Sequence, residues 1–151
     1  MRPGIGLGPV LFGMLRHEAR IALGRAGFPL LSSRAAIDYY CSNALQVEYT
    51  TSGIVQFIGV ACDPALRLRY RGSDVFTLSA EESFLLFAQG EASSTHTFDQ
   101  GGYCFPQQII TVWDADSQYD HITNQSRVVW GQVGLGSPTY LKAAQALTSG
   151  V

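Results

Sequence analysis

Leu45-Gln-Val-Glu-Tyr-Thr50 alternates apolar and polar residues at every step. Leu45, Val47 and Tyr49 fall on one face and Gln46, Glu48 and Thr50 on the other, the two-residue period of a half-buried strand. Ser52-Gly53 then turns the chain, and Ile54–Ala61 returns as a more apolar strand. Together they read as a hairpin with a glycine-containing turn. Leu66–Arg71 alternates again, with Leu66, Leu68 and Tyr70 inward and Arg67, Arg69 and Arg71 outward. Shorter β-prone runs are expected at Leu7–Phe12, Ile37–Cys41 and Ser94–Phe98, with loops at 30–36 and through the polar stretch 91–106. The strongest hairpin spans Gln107–Gly136. Its two β-rich runs carry Trp113 and Trp130 and flank an acidic loop that holds Asp114, Asp116, Tyr119 and Asp120.

A period near 3.6 appears in three places. From Leu15 to Arg25 the stripe is Leu15, Ala19, Ala22 and Ala26 with Leu23 beside it, leaving His17, Glu18, Arg20 and Arg25 for the other side. Gly24, Gly27 and Pro29 supply the stop. Ser79-Ala-Glu-Glu82 is a capping box that starts a helix running to about Gln89. Ser137-Pro138 places an N-cap before a proline at the first helical position. The helix that follows, to Leu147, is expected to bury Tyr140, Leu141, Ala144 and Leu147. Runs of strands separated by single helices define an α+β fold with antiparallel sheet and three helices, not a parallel βαβ sheet. The order helix-then-sheet occurs twice, so residues 1–151 are read as one domain that divides into helix-plus-sheet halves, 1–74 and 75–151.

Hydrophobic residues make up 46% of the 151, enough for a core, while charged residues are only 15%. The usual charged share is about 25%, and a surface this poor in charge is one that a partner can cover. The charge is also uneven. Residues 1–71 hold eight Arg against four Asp/Glu, a net of +4; residues 72–151 hold one Arg and one Lys against eight Asp/Glu, a net of −6. Such asymmetry points to faces with different partners. Three cysteines, Cys41, Cys62 and Cys104, form no Cys-x-x-Cys pair and are odd in number, which fits reduced thiols. The glycine- and proline-broken N-terminus does not read as a signal peptide, and no apolar run reaches about 18 residues. The expectation is therefore a cytoplasmic protein that does not enter a membrane.

No constellation carries chemistry on its own. Gly4, Gly6 and Gly8 lack the preceding strand and the spacing of a phosphate loop. His17 and Glu18, adjacent on a helix, point apart. Asp114-x-Asp116-x-Gln118-x-Asp120 starts like a calcium loop, but Tyr119 stands where the glycine is required and Gln125 where the bidentate glutamate is. His96-x-x-Asp99 and Asp120-His121 lack further ligands. No Gly-x-Ser-x-Gly elbow is present. A Cys104 dyad with His96 or His121 needs an adjacency that only a structure can supply. It keeps open a second reading, a small enzyme or ligand-binding domain that uses the His96/Cys104 region. No catalytic residue, metal ligand or cofactor is assigned. Binding remains. Asp114, Asp116, Tyr119 and Asp120 between two tryptophans have the content of a protein interface that selects basic partners. Arg67, Arg69 and Arg71 form a second candidate surface, for an anionic partner. Against both stands the ordinary alternative that the tryptophans are core residues and the charges solvated.

The block Gly4-Ile-Gly-Leu-Gly-Pro-Val-Leu-Phe-Gly-Met14, leading into Glu18-Ala-Arg20 and Ala22-Leu-Gly24, resembles the entry of small bacterial immunity proteins associated with polymorphic toxins and type VI secretion. The Leu45–Val60 hairpin, Gly72-Ser-Asp-Val-Phe76, and Trp113-Asp114 with Gln118-Tyr-Asp120 and Gly131-Gln-Val-Gly134 are similar to stretches of the same proteins. Leu15-Arg-His departs from the Ser/Thr cap that such entries usually carry. The resemblance implies a cytoplasmic, non-catalytic binder that neutralises a cognate protein toxin by covering its active site or substrate groove. A basic nuclease is among the toxins it would suit. It implies no cofactor and no direct contact with nucleic acid or membrane, and it carries over no catalytic residue.

Overall fold

Why these residues form a sheet with helices on both sides follows from where the alternation is strict and where it fails. The computed structural model describes residues 1–92, 95–120 and 124–149, with the backbone alone at Asp120, Thr148 and Ser149. A two-strand ribbon, β1 (Gly6–Leu7) and β2 (Val10–Leu11), precedes helix α1 (Arg16–Arg25). Strands β3 (Ser32–Arg34), β4 (Ile37–Tyr40), β5 (Leu45–Tyr49) and β6 (Val55–Val60) follow. A second ribbon, β7 (Arg69–Tyr70) and β8 (Ser73–Asp74), leads through one turn of 3-10 helix into α2 (Ala80–Gly90). Strands β9 (Gly102–Phe105), β10 (Ile110–Asp120) and β11 (Gln125–Gly136) and helix α3 (Pro138–Ser149) complete the chain. Seven strands pair antiparallel in the order β3-β4-β5-β6-β11-β10-β9. The fold is α+β, with one seven-stranded sheet, two small ribbons and three helices among the described residues. Each half contributes a helix and then an antiparallel meander, and the last strands, β6 and β11, pair at the centre from Val133↔Val60 to Gly136↔Phe57.

The inner face of the sheet holds the core. Leu45, Val47, Ile58, Val60, Ile110, Val112, Val133 and Leu135 join Ala19 and Leu23 of α1 and Phe84 and Phe87 of α2 in one cluster. α2 starts on its capping box: the Ser79 hydroxyl accepts from the Glu82 N–H at 3.2 Å, and the Glu82 carboxylate accepts from the Ser79 N–H at 2.8 Å. α1 has no hydroxyl cap, and the Glu18 carboxylate alone takes the Leu15 N–H, at 2.8 Å. α3 lies on the outer face, where Tyr140 stacks on Phe57 with ring centroids 4.5 Å apart.

Several expectations need correction. Residues 30–36 contain β3, because Ser32–Arg34 can pair with β4 at the sheet's edge without any apolar signal. Strand β9 lies in the stretch expected to be loop. Ser94 of the strand expected at 94–98 lies outside the described residues, and Thr95–Phe98 form no strand. Leu66–Arg71 alternates in burial as expected, but only Arg69–Tyr70 pair as strand, and Arg71 turns away at φ 48°. The Leu15 and Ala26 ends of the α1 stripe are exposed, as is Leu147 of α3, at 80%. Arg20 is not simply a solvated residue, although its side chain stays partly exposed. Together with Arg16 it turns toward the sheet, where both reach Asp38 of β4, a carboxylate with no exposure. The acidic loop is not a loop: β10 continues unbroken to Asp120.

Candidate partner-binding surface

β10 and β11 pair over their whole length, from Ile110↔Leu135 to Asp120↔Gln125. One irregularity divides them. Asp114 sits at φ 54°, left-handed backbone that Asp and Asn adopt more readily than most residues. Gly131 faces it, and a Cβ there would come within 2.9 Å of the Asp114 carbonyl oxygen. At this point the inward positions change phase. Ile110 and Val112 pack inward before it, and Ala115 packs inward after it, opposite Trp130. The switch gives the two tryptophans opposite fates. Trp130 is 1% exposed and its indole N–H donates to the Ala80 carbonyl at 3.1 Å. Trp113 is 64% exposed.

Trp113 lies on the outer face beside its cross-strand partner Gln132. With Thr111, Phe57, Tyr140 and Asp99 they line an open depression of about 720 Å³. Glycines make room for it. A Cβ on Gly134 would run into the Phe57 ring, one on Gly136 would meet Tyr140 Cδ1 at 2.6 Å, and one on Gly59 would meet Gln132 Nε2 at 2.6 Å. Strand glycines of this kind mark places where another group lies flat on the backbone. Gly134→Val is therefore expected to displace the Phe57–Tyr140 stack and to cost about 1–3 kcal/mol, the usual penalty of overpacking. Urea denaturation measures the loss.

The remaining sequence-predicted residues divide between this surface and its neighbours. Asp114 and Asp116 are exposed on β10, and Asp116 Oδ1 accepts the Ser117 N–H at 2.7 Å. Asp120 pairs with Gln125 through the backbone. Tyr119 is 55% exposed and donates to Asn124 Oδ1 at 2.8 Å. It also lines a cleft of about 120 Å³ with Arg67, Asp74, Phe76 and Arg127. The structure thus brings Tyr119 and Arg67 together, although they belong to stretches read separately. Arg67 is held by Asp74 at 3.0 Å. Arg69 is exposed, and Arg71 lies over the Tyr70 ring at 6.0 Å. The three arginines therefore do not present one flat cationic row.

His96 and Cys104 are not brought together. His96 Nδ1 lies 2.7 Å from the Tyr103 hydroxyl, and its ring packs on Tyr103 and Phe105. Those residues flank Cys104 in β9, so the thiol points to the opposite face. Burial, and then the Glu91 charge, push the Cys104 thiol up from the ordinary cysteine range, away from the thiolate a nucleophile needs. His121 lies outside the described residues.

A half-buried carboxylate, Glu48, stands on the same outer face beside Phe57 of β6. Burial pushes its pKa up, and the hydrogen bond from Gln46 at 3.0 Å pulls the other way without cancelling it. Burial, and then the charges of Glu48 and Cys104, raise the Tyr140 hydroxyl as well. A carboxyl whose folded pKa lies above its unfolded value costs stability once pH rises past the unfolded value, about 4.3, and the cost is complete above the folded one. Glu48→Gln is expected to raise Tm at pH 7 and to leave it unchanged at pH 3. Thermal melts at the two pH values check the sign, and a lower Tm at pH 7 refutes it.

A scan against protein-family models finds no match, and searches of curated proteins and of solved structures find none. Among the described residues no helix is long and apolar enough to cross a membrane.

Proposed function

We propose that this chain is a non-catalytic immunity protein that binds a cognate bacterial protein toxin and covers its active site or substrate groove. One observation carries the reading: a single strand, β10, presents an exposed tryptophan next to exposed carboxylates. Trp113 stands 64% exposed in an aromatic-lined depression, with Asp114 and Asp116 immediately beyond it. Large aromatics at the centre of a patch supply most of the energy of protein interfaces. Carboxylates beside them favour a basic partner and speed its approach. A nuclease groove, built to hold phosphates, is a partner of that charge. Tyr119 and Arg67 meet nearer the hairpin tip on the other face of the sheet, in phase with Ala115, and form a second, separate candidate contact.

The test begins with capture from a lysate of the source bacterium, followed by mass spectrometry, at low and high salt. The captured protein is then expressed alone and together with this chain. The expected result is growth arrest by the first and rescue by the pair. A captured protein without toxicity, or toxicity that this chain does not relieve, counts against the proposal.

A further inference from the structure

Two helices cannot cover the inner face of seven strands. Between α1 and α2, the middle of that face is Leu45 of β5 with Ile58 and Val60 of β6. It is roofed by irregular chain: the β1–β2 ribbon, Phe28 after α1, and Leu66–Arg69. A cavity of about 300 Å³ remains beneath this roof. That is the lower end of the volumes that bind small molecules.

Its walls are almost wholly apolar, and Leu23, Leu45, Ile58, Val60 and Leu68 among them are buried members of the core. Three residues that carry positive charge line it, Arg67, Arg69 and Met1, whose ammonium donates to the Arg69 carbonyl, and no carboxylate does. Both arginines are exposed, while Leu66 and Leu68 beside them turn inward. Arg67 is engaged by Asp74 at 3.0 Å, whereas Arg69 makes no ion pair among the described residues. The cavity therefore combines apolar walls with an exposed arginine, Arg69, that no carboxylate among the described residues answers.

We propose that this cavity binds a medium-chain aliphatic monocarboxylate, with the alkyl chain among Leu45, Ile58, Val60 and Leu68 and the carboxylate held by Arg69. Apolar walls leave the hydroxyls of a sugar or the base edges of a nucleotide without partners, which is costly on burial. A cationic rim disfavours amines. A guanidinium fork matches a carboxylate with two parallel hydrogen bonds. The proposal does not depend on the toxin-binding reading, although Leu66 and Arg67 line both this cavity and the Tyr119 cleft.

The whole chain is titrated calorimetrically with hexanoate, octanoate, decanoate and dodecanoate, and with n-decanol as the uncharged control, each below its micelle-forming concentration. The expected result is one site per chain and an affinity that peaks within the series. Tm should rise with decanoate concentration, as it must for a ligand that binds only the folded state. In the same titration, methyl resonances of Leu45, Ile58, Val60 and Leu68 are expected to move. Arg69→Glu, a surface change that spares the core, is expected to weaken decanoate about tenfold or more through loss of a charge-assisted hydrogen bond, and to leave decanol unaffected. No saturable binding at any chain length overturns the proposal. So do resonance shifts away from these methyls, or an Arg69→Glu protein that binds decanoate as tightly as the parent.

Discussion

Trp130→Ala is expected to destabilise the protein by about 3–5 kcal/mol, the range for removing a large aromatic from a core. Trp130 is 1% exposed, meets Phe98 edge-on with centroids 5.7 Å apart, and ties β11 to the first turn of α2 through the Ala80 carbonyl. The truncation removes packing and a hydrogen bond together. Trp113→Ala makes the same chemical change and is expected to move stability by no more than about 0.5 kcal/mol, as for most surface substitutions. Urea unfolding of the two variants gives the contrast. Equal losses would mean that Trp113 is packed, and the outer-face surface would lose its anchor.

The second large effect centres on Asp38. Burial pushes its carboxyl up, but hydrogen bonds from Arg20, Arg16 and Ser33 more than offset this and hold it well below the usual carboxylate range. Arg20 reaches it at 2.7 and 2.9 Å, Arg16 at 2.6 and 3.2 Å, and the Ser33 hydroxyl at 2.7 Å. Removing both arginines leaves a buried charge with one hydroxyl, a loss of about 3–5 kcal/mol for a pair broken on one side. Asp38→Ala is expected to cost less, because both guanidinium groups are partly exposed and regain water. The sign of the pH dependence follows from the depressed pKa. Stability from this group is fully present above the unfolded value, about 3.9, and is lost as pH falls through the folded value. The gap between the parent and Asp38→Ala should therefore be widest near neutrality and shrink below about pH 4. A gap unchanged between pH 7 and pH 3 would contradict the ion-pair account.

Much of the fold was legible where one rule acts alone. Leu45–Tyr49 alternate because only their inner face meets the core, Val55–Val60 read as a more apolar strand because α3 also covers their outer face at Phe57, and Ser79 and Glu82 announce α2 because a cap is local chemistry. The β10 extension past Trp113 was not legible. From Gln125 to Gln132 the β11 strand does not pair with β6, and on the β10 side Asp114, Asp116, Ser117 and Tyr119 are exposed, so that end of β10 needs no apolar pattern. Asp114, Asp116 and Asp120 therefore read as a loop while serving as strand. Arg20 was misplaced because a charge on a helix normally faces water, and its partner Asp38 lies 18 residues away. The opposite fates of Trp113 and Trp130 depend on the phase switch at Asp114 and Gly131, a backbone event with no periodic signature. The outer-face depression had one available signal, Gly134-Leu-Gly136. Alternate glycines on one face of a strand mark a seat for something flat, here Phe57 and Tyr140. His96 and Cys104 looked like neighbours in sequence, and strand alternation in β9 puts them on opposite faces.

The most direct test of the partner-binding surface is a binding titration of the captured partner against the parent, Trp113→Ala and Asp114→Asn/Asp116→Asn/Asp120→Asn, each at two salt concentrations. The account predicts that Trp113→Ala weakens binding by at least about 2 kcal/mol, as an interface anchor does. It predicts that the triple variant binds more weakly at low salt and loses most of the parent's salt dependence. Parent-like affinity in both folded variants, with the salt dependence intact, would contradict it and move the interface off β10.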